Sequence, residues 1–291
     1  LLVKIFLNIT EKEQKKRIDD LLAEKDTSWR VSEHDVWQNK HYDTCLADYE
    51  EYLYATNTPD APWHIIESTH KPEAERDALK ILTDCIDIAV KNREAQEERP
   101  IIQKDYPLNP TPLLCDVDLN RTISDEEYDK ELKRCQEKLS ALHNRLYRKK
   151  IPVILAYEGW DAAGKGGNIK RITNALDPRG YEVIPIASPL PHELARHYLW
   201  RFWKQVPKTG HITIFDRTWY GRVMVERLEG FCSEREWKRA YNEINEFERE
   251  LTDWGAVLLK FWIHIDKETQ LTRFTARQND PDKQWKITDE D

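Results

Sequence analysis

The run Gly159-Trp160-Asp161-Ala162-Ala163-Gly164-Lys165 fits G-x-x-x-x-G-K and lies between an apolar stretch, IPVILAYE, and a helical pattern, GGNIKRI. In that setting the residue types prescribe phosphate binding. Glycines let backbone N–H groups turn inward around phosphate oxygens, the helix start adds positive potential, and Lys165 brings a mobile charge. Gly159, Ala163, Gly164, Gly166 and Gly167 form the expected cradle. Gly166 departs from the pattern, because a Ser or Thr hydroxyl usually stands there as a Mg2+ ligand. A metal must then be held differently, and Asp161 inside the loop is the candidate, since Mg2+ is commonly bound by one or two carboxylates plus phosphate oxygens. The second carboxylate is Asp216, at the end of the apolar run in HITIFDRTWYGR, with Arg217 and Arg222 flanking it. A carboxylate at the carboxyl end of a strand, paired with a phosphate loop, is a metal-binding arrangement.

Local charge extends this reading. From Lys165 to Arg222 there are ten basic residues against four acidic ones, a net of +6. The whole chain, with 45 basic and 53 acidic residues, carries −8, so the remainder carries −14. The stripe includes Lys170, Arg171 and Arg179, and it suits a ligand bearing many phosphates better than a lone nucleotide. A third cluster follows the apolar run LLKFWIHI, where Arg273 and Arg277 lie four apart on one helical face. They occupy the position of a helical lid whose arginines would close over a transferring phosphoryl group. Other patterns fail: the nine histidines show neither H-E-x-x-H nor zinc spacing, and Asn39-Lys40-His41-Tyr42-Asp43 has one residue too many for a base-reading N-K-x-D. The eleven tryptophans read as core packing, with Trp160 in the loop as a rim or base-stacking exception.

Elements able to position these groups follow from periodicity. Strands are expected near residues 2–9 and at Trp63–Ser68, Val153–Tyr157, Val183–Ala187, Ile212–Phe215 and Val257–Ile265. Helices are expected from Pro72 to about Ala95 and from about Ser233 to Asp253, the latter with Trp237, Ile244, Phe247 and Leu251 inward. A third starts at Ser124 with Glu127 completing a capping box, and its apolar face is Tyr128, Leu132, Cys135, Leu139, Leu142 and Leu146. Apolar strands alternating with helices indicate an α/β fold, a parallel sheet with helices on both faces. The chain also repeats itself. With an offset of 256 and no gap, Leu2/Leu258, Lys4/Lys260, Ile9/Ile265, Gln14/Gln270, Arg17/Arg273, Asp26/Asp282, Trp29/Trp285 and Asp35/Asp291 coincide. The expected organisation is therefore a chain cut from a tandem repeat. Residues 1–99 are the tail of a first unit without a phosphate loop, and 100–115 a proline-rich linker. Residues 116–291 are a second unit, truncated at its end; the absence of an initiator methionine, with Met224 the single methionine, agrees with a fragment.

Composition excludes several classes. At 40% hydrophobic the chain can fill a core, so wholesale disorder is excluded. The acidic balance argues against a nucleic-acid coat protein, and no apolar run approaches the ~20 residues needed to cross a bilayer. Five cysteines without a C-x-x-C pair read as reduced thiols, hence a cytoplasmic protein with neither nucleic acid nor membrane as partner.

Across GWDAAGKGG, PRGYEVIPI, IFDRTWYGR, GFC with INEFERELTDWGAVLLKFWIHI, and QLTRF with DKQWKITDED, the sequence resembles the polyphosphate kinase 2 family, in particular its tandem two-domain members that act on AMP. The resemblance implies a P-loop kinase fold and Mg2+-dependent transfer (Mn2+ being the alternative) of a terminal phosphoryl group from inorganic polyphosphate to a nucleotide, AMP to ADP. It carries over to Asp161 and Asp216 as metal and acceptor-orienting carboxylates, and to Lys165, Arg217, Arg222 and Arg273 as phosphate binders. Thr218 stands where the family often has Ser, and Gly221 where many single-domain members have Asn, which leaves acceptor preference open. An ATP-dependent kinase of the same fold class and a non-catalytic polyphosphate-binding module are the rival readings. Self-association, as a homo-oligomer, stays open too.

Overall fold

Val153–Gly159 and Ile212–Asp216 form adjacent parallel strands whose side chains divide by parity between two cores. The computed structural model describes residues 1–95, 100–101, 104–282 and 284. They fall into two units, Leu1–Pro100 and Ile101–Asp291.

The first unit runs β1 (Lys4–Asn8), α1 (Glu11–Ala23), α2 (Glu33–Lys40), α3 (Tyr42–Thr56), β2 (Trp63–Glu67) and α4 (Lys71–Glu94). β1 and β2 pair in parallel, Lys4 opposite Trp63 through Asn8 opposite Glu67. Arg17 reaches from α1 to the end of β2, donating to the carbonyls of Ser68 at 2.6 Å and Thr69 at 3.0 Å.

The second unit runs α5 (Asp125–Lys149), β3 (Val153–Gly159), α6 (Lys165–Thr173), β4 (Tyr181–Pro185), the single turns α7 (Pro191–Leu194) and α8 (Trp200–Trp203), β5 (Ile212–Asp216), α9 (Val225–Leu228), α10 (Glu234–Asp253), β6 (Val257–Ile263) and α11 (Lys267–Gln278). All four strands are parallel in the order β4-β5-β3-β6. Their carboxyl ends therefore share one edge of the sheet, where loops can converge on a ligand. On one face Val153, Leu155, Tyr157, Ile212 and Ile214 pack with Ile169 of α6 and with Leu139 and Leu146 of α5. On the other, Ile154, Ala156 and Phe215 pack with Phe202 of α8, Trp219, and Ile244, Phe247 and Leu251 of α10. The capping box of α10 is complete, Ser233 with Glu236. Cover on both faces holds for β3 and β5, whereas edge strand β6 leaves Val257, Leu259, Phe261 and Trp262 exposed. Among the described residues no helix is long and apolar enough to cross a membrane.

Several expectations need correction. Along α5 the inward seats expected of Cys135 and Leu142 go to Gln136 and His143, while Cys135 and Leu142 are exposed. Both replacements are polar groups with partners: Gln136 Nε2 donates to Arg171 O at 2.7 Å, and His143 Nδ1 accepts from Asp177 N at 3.2 Å. Apolar counting misses such seats, because a hydrogen bond offsets the cost of burying them. Ser124 does cap α5, accepting from Glu127 N, without the return bond that would complete the box. The strand expected at Val183–Ala187 lies two residues earlier, in register with β5. Among the described tryptophans only Trp219 is fully buried; Trp29, Trp37, Trp160, Trp203, Trp254 and Trp262 are exposed, so core packing is not their common role. Lys104, in the stretch expected to be a linker, bonds to Asn242 and pairs with Glu246 on α10.

The internal repeat has a structural counterpart. Thr10 caps α1 by accepting from Glu13 N, and Asp266 caps α11 by accepting from Thr269 N. Both pairs obey the same offset of 256 found in the sequence. The repeat positions Trp285 and Asp291, together with Lys286–Glu290 of the family-like tail, lie outside the described residues.

Candidate active site

The loop between β3 and α6 is shaped by left-handed backbone. Gly159 has φ +138°, Ala162 +59° and Gly164 +107°. Gly164 ends the loop as the cap residue of α6, and no side chain caps that helix, so its first N–H groups stay available to a ligand. Tyr157 of β3 donates to Asn168 Oδ1 at 3.1 Å and thereby ties α6 to the sheet. Inside this bend Lys165 folds back, donating to the carbonyls of Gly159 at 2.6 Å and Trp160 at 3.0 Å. Its side chain is only 11% exposed. Burial lowers its proton affinity, and the charges of Asp161 and Asp216 oppose that effect.

Asp216 ends β5, where the register sets it opposite Tyr157, two residues before the loop. Among the described residues its carboxylate takes no hydrogen bond or ion pair. Asp161 pairs with Arg217 at 3.1 Å and with Lys165 at 3.8 Å. Two carboxylates thus face one lysine, a donor set of hard oxygens. No group of three or more His, Cys, Asp or Glu side chains among the described residues could hold a metal unaided.

Arg217 stands at φ +68°, a left-handed conformation that costs a side-chain-bearing residue about 1–3 kcal/mol. Three bonds hold it there. Its own N–H donates to Tyr157 O at 3.1 Å, and the N–H and hydroxyl of Thr218 each donate to Glu158 Oε1 at 2.7 Å. Burial pushes the Glu158 carboxyl up, against the two Thr218 bonds. A 3-10 turn, Trp219–Val223, then carries Arg222, whose guanidinium lies over the Tyr198 ring at 4.5 Å and pairs with Glu226 at 3.2 Å. Beneath this turn Glu248 accepts from Trp219 Nε1 at 3.0 Å, Tyr220 Oη at 2.8 Å and Lys260 Nζ at 2.8 Å. Tyr220 is pushed up to about 12, by burial first and by the Glu248 charge second.

A cavity of about 390 Å³ opens beside the turn, and Arg217, Arg222, Arg196, Arg201 and Arg239 all line it. Leu194, Val225 and Phe231 form an apolar part of the same wall. Arg217 therefore belongs both to this cavity and, through Asp161, to the phosphate loop.

The remaining expected residues divide. Arg273 holds the loop backbone, donating to the carbonyls of Ala162 at 3.0 Å and Ala163 at 2.9 Å, while Gln270 donates to Asp161 O at 3.1 Å. Arg277 lies one turn further along α11, over the Phe274 ring at 5.9 Å. On α6, Lys170 is exposed; Arg171 turns toward α5, over the Tyr128 ring at 5.8 Å, and donates to Gly167 O at 2.9 Å. Arg179 is not brought to the loop. It precedes β4, so parallel pairing places it at the amino end of the sheet, where it pairs with Asp177 at 2.8 Å and is 90% exposed. Trp160 sits at the rim, 45% exposed, donating to His264 Nδ1 at 3.0 Å. Sequence reasoning missed Glu158, Arg239 and Glu248. Glu158 carried a signal, an acid closing an otherwise apolar strand; the other two sit in a helix full of charges, where nothing local distinguishes them.

The sequence pattern of the family described as polyphosphate kinase 2 matches residues 1–94 and 122–291. A polyphosphate:AMP phosphotransferase of Pseudomonas syringae pv. tomato is 43% identical over 295 residues, covering 100% of this chain and 59% of that protein. One from Pseudomonas aeruginosa is 39% identical with the same coverage. A crystal structure of a polyphosphate kinase 2 from Pseudomonas aeruginosa superposes with a TM-score of 0.74 at 36% identity, covering 100% of this chain and 55% of that one. The chain thus spans 59% of the length of these two curated relatives.

Proposed function

This chain belongs to the polyphosphate kinase 2 family, and we propose that it takes part in Mg2+-dependent transfer of a terminal phosphoryl group from inorganic polyphosphate to a nucleoside monophosphate, AMP to ADP, on a P-loop kinase fold. The observation that carries the reading is the double role of Arg217. It lines the cationic cavity and touches the phosphate loop, so a donor phosphate on one side and an acceptor phosphate on the other meet at one guanidinium. The cations gathered at the loop and cavity, Lys165, Arg196, Arg201, Arg217, Arg222 and Arg239, support phosphate-rich substrates. The names of the relatives agree with both substrates.

In this reading the donor chain enters along the loop, and the free N–H groups of α6 bind its terminal phosphate. Lys165 leaves the carbonyls of Gly159 and Trp160 for the phosphate oxygens. Asp161 and Asp216, with phosphate oxygens, are the residues that would hold Mg2+, which when bound neutralises charge on the transferring group. Asp161 would serve as a ligand once turned away from Arg217, whose guanidinium would then be available to phosphate. The acceptor fills the cavity, its phosphate toward Arg217 and Arg222 and its base toward Leu194, Val225 and Phe231. An oxygen of the AMP phosphate attacks the terminal phosphorus in line. The bond to the bridging oxygen breaks, and the shortened chain departs without a covalent enzyme intermediate. Arg273 braces the loop carbonyls, with α11 in the place of a lid.

We further read β1–α1 and β6–α11 as the same segment of two consecutive units, of which the second carries the phosphate loop. All five cysteines are unpaired, which suits a cytoplasmic enzyme. The test is direct. Intact protein with Mg2+, AMP and polyphosphate should form ADP and lose activity on chelation, and Asp216→Asn should abolish transfer with polyphosphate binding largely retained. Transfer from ATP alone would sink the reading.

A further inference from the structure

Glu158 lies at the junction of the phosphate loop and the arginine turn, yet the proposed transfer gives it no contact with either substrate. One oxygen of its carboxylate, Oε1, accepts both the N–H and the hydroxyl of Thr218 at 2.7 Å. The same hydroxyl oxygen also accepts from Tyr220 N at 3.2 Å and so caps the 3-10 turn Trp219–Val223. The chain of bonds runs Glu158, Thr218, Tyr220, and it brackets two arginines. Arg217, immediately before Thr218, is held left-handed at φ +68°; Arg222 rides on the turn that Thr218 caps. Few sequences would leave an arginine in that backbone region without a restraint, and the restraint here is a carboxylate on the neighbouring strand.

We propose that Glu158 is a positioning residue for phosphoryl transfer: through Thr218 it fixes the backbone on which Arg217 and Arg222 face the acceptor cavity. This rests on the phosphotransferase reading. The geometry explains why a charge-bearing acceptor is used. Hydrogen bonds to a carboxylate are shorter and stronger than neutral ones, and both donors of Thr218 are satisfied by one atom, so a small lateral shift breaks both. Releasing Arg217 would let its backbone relax to an ordinary conformation and swing the guanidinium away from Asp161, now 3.1 Å distant. The expected loss is positional, in how Arg217 and Arg222 meet the acceptor phosphate.

The test is a double-mutant cycle on the intact protein, with kcat and KM for AMP measured at saturating polyphosphate, AMP affinity by calorimetry, and the unfolding midpoint of each variant. Glu158→Ala should lower kcat/KM for AMP by about ten- to a hundredfold, the scale of a misplaced binding group. Glu158→Gln, whose amide oxygen accepts the same two bonds, should recover most of that loss. Glu158→Ala combined with Arg217→Ala should fall clearly short of the product of the two single losses, because the Arg217 share can be lost only once. Should Glu158→Ala not fold, Thr218→Val removes the capping hydroxyl alone and should show the same pattern in milder form. The proposal is overturned if Glu158→Ala keeps wild-type kcat/KM, or if the two losses multiply in the double variant. Wild-type protein that binds AMP but transfers nothing would refute the phosphotransferase reading instead; the clamp is then judged on AMP affinity, which Glu158→Ala must weaken.

Discussion

The same substitution at two glycines of the phosphate loop should act in opposite directions. Gly159 has φ +138°, and a Cβ there would lie 2.2 Å from Ile263 O, 2.8 Å from Ile263 N and 2.9 Å from Ile263 C. Those atoms are backbone of β6, the strand paired with β3 at this register position, so no side-chain rotation relieves the collision. Backbone strain at such φ costs about 1–3 kcal/mol. Moving the strands apart also weakens one or two ladder hydrogen bonds, at about 0.5–1.5 kcal/mol each. Gly159→Ala should therefore cost about 2–5 kcal/mol, a fall of at least ~4 °C in the unfolding midpoint for a unit of this size. Gly166, inside α6, has nothing within 4 Å of the position a methyl group would take, and its φ is not strained. Gly166→Ala should be neutral or gain about 0.4–1 kcal/mol, because alanine restricts the unfolded chain. Thermal unfolding followed by circular dichroism separates the two. If Gly159→Ala unfolds within about 1 °C of Gly166→Ala, close packing of the loop against β6 is refuted.

Other consequences can be measured independently. Arg179→Ala should leave transfer within about twofold of wild type, since an exposed pair with Asp177 contributes little and lies at the far end of the sheet; a tenfold loss would return Arg179 to the site. Glu248→Ala should destabilise the protein by about 1–3 kcal/mol in urea unfolding. It strands the buried Trp219 N–H, but Lys260, its side chain 50% exposed, can turn to solvent, so the larger penalty of an isolated buried charge is not expected. Burial pushes the Glu243 carboxyl up, yet hydrogen bonds from His197 and Arg239 hold it below its ordinary 4.5. A depressed carboxyl contributes stability that is present above 4.5 and lost as pH falls through the lower folded value, so Glu243→Gln should cost more at about pH 7 than at about pH 3. An equal cost at both would contradict the assignment.

Local chemistry was legible in the residue order because each piece is contiguous. The phosphate loop needs its glycines and Lys165 within seven positions, and Asp216 announces itself by closing an apolar run before two arginines. Periodicity also marked α10 and its cap at Ser233, since 3.6-residue spacing is a property of a single helix. On α5 it placed Tyr128, Leu132, Leu139 and Leu146 inward but missed two seats, which Gln136 and His143 take on the strength of bonds to Arg171 and Asp177, residues more than 30 positions away. Arg179 belonged to the basic stripe by count, and only strand direction removes it from the loop.

What the sequence by itself determined is the strand–helix alternation and the list of candidate groups it carries, because both arise from short-range spacing and backbone preference. What only tertiary structure decided is which groups meet. Placing β5 beside β3 aligns Asp216 with Tyr157, lets Glu158 hold Thr218, and brings Arg217 to Asp161, 56 residues earlier in the chain. Placing β6 on the other side of β3 brings Arg273 to the loop carbonyls and forbids a side chain at Gly159. Such neighbours depend on strand order and parallel register, which long-range packing selects and no local window of residues contains.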